Sequence, residues 1–114
     1  MILGIKFANT RRVLEDIGIH NPTFDDCAIV QHICRHVSKR AARLAGAGLA
    51  VLINRIGKPN VTVGVDGSLY RYHPRFKRNM ERTMEILVQK DTQVNTKRTT
   101  SNMTLRFCFV FSLN

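Results

Sequence analysis

Between Cys27 and Ile56 apolar and small residues recur at steps of three and four: Val30, Ile33, Cys34, Val37, Ala41, Leu44, Ala45, Gly48, Leu49, Leu52, Ile53 and Ile56. No proline interrupts them, so the pattern predicts one helix over 27–56, about 45 Å long. Asp25 and Asp26 stand just ahead of it, where acids suit the positive end of the helix dipole. The middle, residues 41–48, is nearly all small. Small residues on several faces imply close backbone approach by neighbours, and hence a buried helix, one that needs more cover than the rest of so short a chain can readily supply. Gly46 and Gly48 each cost about 1 kcal/mol of helix propensity relative to alanine, which packing must offset.

Around this helix the pattern changes twice. Gly57-Lys58-Pro59-Asn60 ends it, and Val61, Val63 and Val65 then alternate as in a buried strand. Asp66-Gly67 breaks the strand at a pair that tolerates positive φ. Two continuations fit: a type I′ hairpin, or a turn that opens a helix and presents the Ser68 hydroxyl and backbone N–H groups to an anion. Pro74 then opens an amphipathic helix with Phe76, Met80, Met84, Leu87 and Val88 as its apolar stripe. Near the start, Asn9 or Thr10 is placed to cap a short helix through Ile17, with Val13, Leu14 and Ile17 on one face and Gly18 as its stop. After Gln89 the helical period disappears, and residues 105–111 form an aromatic run that reads as a strand or an unprotected sticky end. Helix, tight turn and core strand in succession make the fold class α/β.

Composition narrows this only slightly. The 114 residues are one domain or a piece of one, and 44% hydrophobic content supports a modest core. A net charge of +10 suggests affinity for polyanions. The cations, however, are interleaved with acids or lie beside apolar stripes, which reads as solvated helix faces, and nucleic acid is not the expected partner. Cys27, Cys34 and Cys108 lack metal-ligand spacing; Cys27 and Cys34, two helical turns apart, read as buried small hydrophobes, and a reducing cytoplasm is the expected compartment. No run is long enough to span a bilayer, and the first residues do not form a secretory signal. His32, His36 and His73 read as surface or helix-end residues, His73 as a helix-start residue before Pro74.

Two stretches carry a family resemblance. Asp26-Cys27-Ala28-Ile29-Val30-Gln31-His32-Ile33-Cys34-Arg35 followed by Val37-Ser38-Lys39-Arg40-Ala41-Ala42 resembles the connecting helix of eukaryotic hexokinases, and Ala47-Gly48-Leu49-Ala50 with Ile53-Asn54-Arg55 continues it. Val63-Gly64-Val65-Asp66-Gly67-Ser68-Leu69-Tyr70, with His73-Pro74 and Phe76, is similar to the family's adenosine-side motif.

The resemblance implies a partial actin-like, ribonuclease-H-like ATPase domain, with 1–8 as an unplaced extension, 9–89 as the hexokinase-type segment and 90–114 as a divergent, disordered tail. It implies transfer of the γ-phosphoryl of magnesium-ATP to the 6-hydroxyl of glucose and related hexoses. It also implies ATP binding at Gly67, Ser68, Leu69, Tyr70, Arg71 and Tyr72, with Asp66 shaping the turn, and favours the helical continuation over the hairpin. Arg71 is divided between a phosphate contact and a solvated cation, while Tyr70 and Tyr72 are expected to pack against the strand. The family's first phosphate loop, its catalytic aspartate and its hexose-binding residues have no counterpart here, so no catalytic or metal-ligating residue is assigned and the chain alone is expected to be inactive. The loss of the family pattern after Gln89 points to a truncated product. The alternatives are a non-catalytic basic binding protein, or a regulatory fragment that associates with intact hexokinase.

Overall fold

The computed structural model describes residues 7–98 and 108–112. The chain divides into two compact units, Met1–Ser38 and Lys39–Asn114, with one long helix contributing to both.

In the first unit, α1 spans Ala8–Asp16 and buries Leu14. Leu14, Phe7 and Cys27 form a small apolar cluster, with Ala28 and Val30 packed against it. Val13 and Ile17, assigned to the same face from the sequence, are exposed. Neither Asn9 nor Thr10 caps α1; Phe7 holds the cap position and no side chain bonds to the helix end. Gly18 stops the helix as expected. It adopts φ 94°, and its N–H and that of Ile19 donate to the carbonyls of Glu15 and Leu14 at 3.0 and 2.9 Å.

The long helix α2 runs Phe24–Ile56, 33 residues, three earlier at its start than the periodicity gives. Thr23 fixes that start. Its backbone N–H and hydroxyl donate to Asp26 Oδ2 at 2.9 and 2.6 Å, while the Asp26 N–H donates to Thr23 Oγ1 at 3.2 Å. This reciprocal cap satisfies donors that a helix start otherwise leaves open. The Thr23 hydroxyl, and secondarily its backbone N–H, hold the Asp26 carboxyl below its ordinary range.

In the second unit, β1 (Asn60–Asp66) is the middle strand of three. On one side it pairs in parallel with β2 (Gln93–Arg98), Asn60 opposite Gln93 and Val65 opposite Arg98. On the other it pairs antiparallel with β3 (Cys108–Ser112), Thr62 opposite Ser112 and Asp66 opposite Cys108. Between β1 and β2 come α3 (Ser68–Tyr72) and α4 (Phe76–Leu87). The hairpin alternative at Asp66-Gly67 therefore gives way to a helical turn. The tail expected to be disordered contains β2 as well as β3, the latter in the aromatic run that reads as a strand, because β1 offers both of its edges for pairing. Of the aromatic run, 105–107 lie outside the described residues, as does the extension over 1–6.

The core of this unit gathers Ala42, Leu49 and Ile53 of α2, Val61, Val63 and Val65 of β1, Tyr70, and Phe76, Met80 and Met84 of α4. The sequence reading has a buried helix that so short a chain can hardly cover, and part of its stripe is indeed left uncovered. Ile33, Cys34, Val37, Leu44 and Leu52 belong to the expected stripe yet are exposed. The chain covers α2 on one face only, so the remaining apolar positions meet solvent. Close approach does occur at Gly46, where a Cβ would lie 2.6 Å from the Met80 carbonyl oxygen and 2.9 Å from Thr83 Cβ. At Gly48 a Cβ would meet nothing within 4 Å.

Candidate functional site

The turn from β1 into α3 joins all seven residues singled out from the sequence, 66–72. Val65 brings the chain to the C-terminal end of β1 fully buried, and Asp66 follows with only 3% of its surface exposed. A carboxylate so placed requires partners. Asp66 Oδ1 accepts the Gly67 N–H at 2.9 Å and Arg71 Nη2 at 2.6 Å. Gly67 has φ 151° and ψ 149°, a conformation that a Cβ makes costly. The Arg71 backbone N–H then donates to the Gly67 carbonyl at 3.0 Å. Backbone and side chain of Arg71 thus close the same turn.

This arrangement narrows the question the sequence left open for Arg71. Its guanidinium is paired with the buried Asp66 carboxylate while 27% of its side chain stays exposed, so it is not a purely solvated cation. Ser68 and Leu69 are exposed on the outer side of the turn. Tyr70 is buried in the core as expected, and its hydroxyl donates to Glu81 Oε1 at 3.3 Å. Burial, and then the Glu81 charge, push the Tyr70 hydroxyl up to about 12. Tyr72 does not pack against the strand: 77% of its surface is exposed. The two tyrosines lie two positions apart on a short helix, so they point to different sides. His73 is not at a helix start: it caps the C-terminal end of α3, its Nδ1 accepts the Arg75 N–H at 3.3 Å, and α4 begins two residues after Pro74 with Arg75 at its N-cap.

Two other features were not read from the sequence. Asn54 bridges α2 to the end of α4: its Nδ2 donates to the Leu87 carbonyl at 2.9 Å, and its Oδ1 accepts the Gln89 N–H at 3.0 Å. A single asparagine on a helix carries no sequence signal for such a role. A cleft of about 430 Å³ opens between α4 and β2, bordered by Glu81, Glu85, Val88, Lys90, Val94 and Thr96. None of residues 66–72 lines it, and its two carboxylates are poorly suited to a triphosphate. Among the described residues no three His, Cys, Asp or Glu side chains are grouped to hold a metal ion, and no helix is long and apolar enough to cross a membrane.

The hexokinase family model matches residues 4–105. The chain is 46% identical over 88 residues to hexokinase-1 of Rattus norvegicus, covering 72% of this chain and 10% of that protein. It is likewise 46% identical over 87 residues to hexokinase of Schistosoma mansoni, covering 75% of this chain and 19% of that one. A solved hexokinase from Schistosoma mansoni complexed with glucose superposes with a TM-score of 0.72 at 41% identity, over 75% of this chain and 19% of the other. The chain thus spans only about a tenth to a fifth of these relatives. The shared fold makes it a partial actin-like α/β domain. A family pattern that runs through the long helix, the β1 turn and α4 together places this chain in the hexokinase family.

Proposed function

We propose that the chain supplies part of the nucleotide side of an ATP-dependent hexose kinase that acts on glucose and related hexoses, and that it is catalytically inactive alone. The observation that carries this reading is the β1–α3 turn. Its backbone is held rigid by the Asp66–Arg71 pair, while the Ser68 hydroxyl, the Leu69 side chain and the Tyr72 ring remain on the open side. These groups suit a nucleoside: a hydroxyl to bond the ribose, and apolar and aromatic surface for the base. Gly67 keeps the approach to the backbone free of a Cβ. Tyr70 supports the turn from within the core, and Arg71 positions it through Asp66.

These residues do not form a magnesium site. Asp66 is buried and paired with Arg71, so the magnesium ion belongs to the ATP substrate complex rather than to this turn. Phosphoryl transfer relies on holding both substrates in line and neutralising charge around the transferred group. It also needs a base within hydrogen-bond reach of the sugar hydroxyl. Asp66 is the one buried acid among the described residues, and its carboxylate is already paired.

Calorimetry with ATP tests the site. Gly67→Val is expected to abolish or strongly weaken binding, and His73→Ala to leave it nearly unchanged; the reverse ranking would place the nucleotide elsewhere. Glucose-dependent ATP turnover by the purified chain is expected to stay at background, and turnover above a contaminant control would refute the reading of inactivity.

A second reading has its own observation. Leu44, Val51 and Leu52 form an exposed apolar surface on α2 within Lys39–Asn114. Such a surface suits association with a longer hexokinase polypeptide. Co-purification with full-length enzyme, lost in a Leu44→Glu, Val51→Glu double variant, would support it.

A further inference from the structure

His32 and His36 stand one turn apart on α2, both exposed, with ring centroids 4.4 Å apart and planes tilted by 48°. Positions i and i+4 share a helix face, about 5–6 Å apart at Cβ. That spacing lets one nitrogen of each ring reach a single ion at about 2.0–2.1 Å, while water fills the remaining positions. We infer that His32 and His36 form a two-imidazole site for a borderline divalent metal ion, Cu²⁺ in preference to Zn²⁺.

The choice of ion follows from the donors. Imidazole suits copper, nickel and zinc, and the order of divalent affinities places Cu²⁺ first. Magnesium prefers oxygen ligands and keeps its water, so it is excluded from this pair. The site is separate from the turn at 66–72 and draws on none of its residues. Only two protein ligands are present, and Arg35 and Lys39 are close along the helix, so binding is weaker than at a three- or four-ligand site. Arg35 is turned toward Gln31, whose Oε1 accepts its Nη2 at 3.3 Å.

The surroundings give the site a consequence. Ile29, Ile33 and Val37 are exposed in the same stretch, so few tertiary contacts hold this part of α2. An ion joining His32 to His36 spans one helical turn and stabilises it, because the ion binds the helical form and not the open chain.

Titration of the full 114-residue chain with CuCl₂, ZnCl₂ and MgCl₂ in a non-chelating buffer at neutral pH tests this. Calorimetry is expected to show one Cu²⁺ site, weaker Zn²⁺ binding and no Mg²⁺ binding, with a Cu²⁺-dependent rise in the melting temperature of the helical circular dichroism signal. His32→Ala and His36→Ala should each weaken Cu²⁺ binding by ~10-fold or more through loss of the chelate. Both side chains are exposed, so the unliganded spectra should match wild type. Cys34→Ser should leave Cu²⁺ affinity unchanged, and electron paramagnetic resonance should show two nitrogen ligands. Full affinity in either histidine variant, loss of affinity in Cys34→Ser, or a response to Mg²⁺ equal to that for Cu²⁺ overturns the proposal.

Discussion

Within Lys39–Asn114, α2 presents two faces of similar composition. Ala42, Gly46, Leu49 and Ile53 turn toward the core cluster, with Met80 of α4 close enough at Gly46 to leave no room for a methyl group. Leu44, Gly48, Val51 and Leu52 carry the same kinds of side chain and stay exposed. Hydrophobicity is therefore not what separates them. The difference is whether another element lies opposite, since burial stabilises only where atoms exist to pack against. The same residue types are structural on one face and available surface on the other.

Substitutions on the two faces should separate accordingly. Ile53→Ala opens a cavity in the buried face and is expected to cost about 2–5 kcal/mol in urea unfolding, against about 0.5 kcal/mol or less for Val51→Ala. Equal losses would mean that the exposed face is covered in solution.

Tyr70 probes the same core by pH. Its hydroxyl is held at about 12 against an ordinary 10.0, so the folded chain keeps the proton more tightly than the unfolded one. Stability is intact below pH 10 and falls as pH rises from 10 to 12, by about 2–3 kcal/mol in all. Tyr70→Phe should remove this alkaline loss from a series of denaturation midpoints; an unchanged slope would mean the ring is not sealed in the core.

The glycines give the finest comparison, because one substitution should change sign. At Gly46 an alanine methyl must displace the Met80 carbonyl, and Gly46→Ala is expected to cost about 1–2 kcal/mol after its helix-propensity gain. At Gly48 the space is open, so Gly48→Ala should stabilise by up to about 1 kcal/mol. The same sign for both would erase the distinction between the faces.

Much of the local structure was legible in the residues. The alternation at Val61, Val63 and Val65 specified β1, the three- and four-residue recurrence specified α2 and α4, and Gly18 and Gly57 marked helix ends that they reach with φ 94° and 65°. These signals were readable because each arises from the chain's own geometry within a few residues. The Thr23 cap is local too, but its signal is one hydroxyl ahead of two aspartates that already suit the helix dipole without it. Of the strands after Gln89, β3 falls in the aromatic run that already read as a strand, whereas β2 was less accessible: it pairs with β1 33 positions earlier, and its own residues carry little strand pattern.

Of the candidate site, the sequence located the turn but not the roles within it. Asp66, Gly67 and Ser68 were recognisable as a strand-to-helix turn, and the family likeness lay in residues that can be read off in order. That Arg71 is occupied by Asp66, that Tyr70 faces inward while Tyr72 faces solvent, and that Gly46 rather than Gly48 meets a neighbour were decided by tertiary structure. A sequence specifies which positions can be buried through periodicity and side-chain chemistry. Which of them are buried depends on which face another segment reaches, and that is a property of packing in three dimensions.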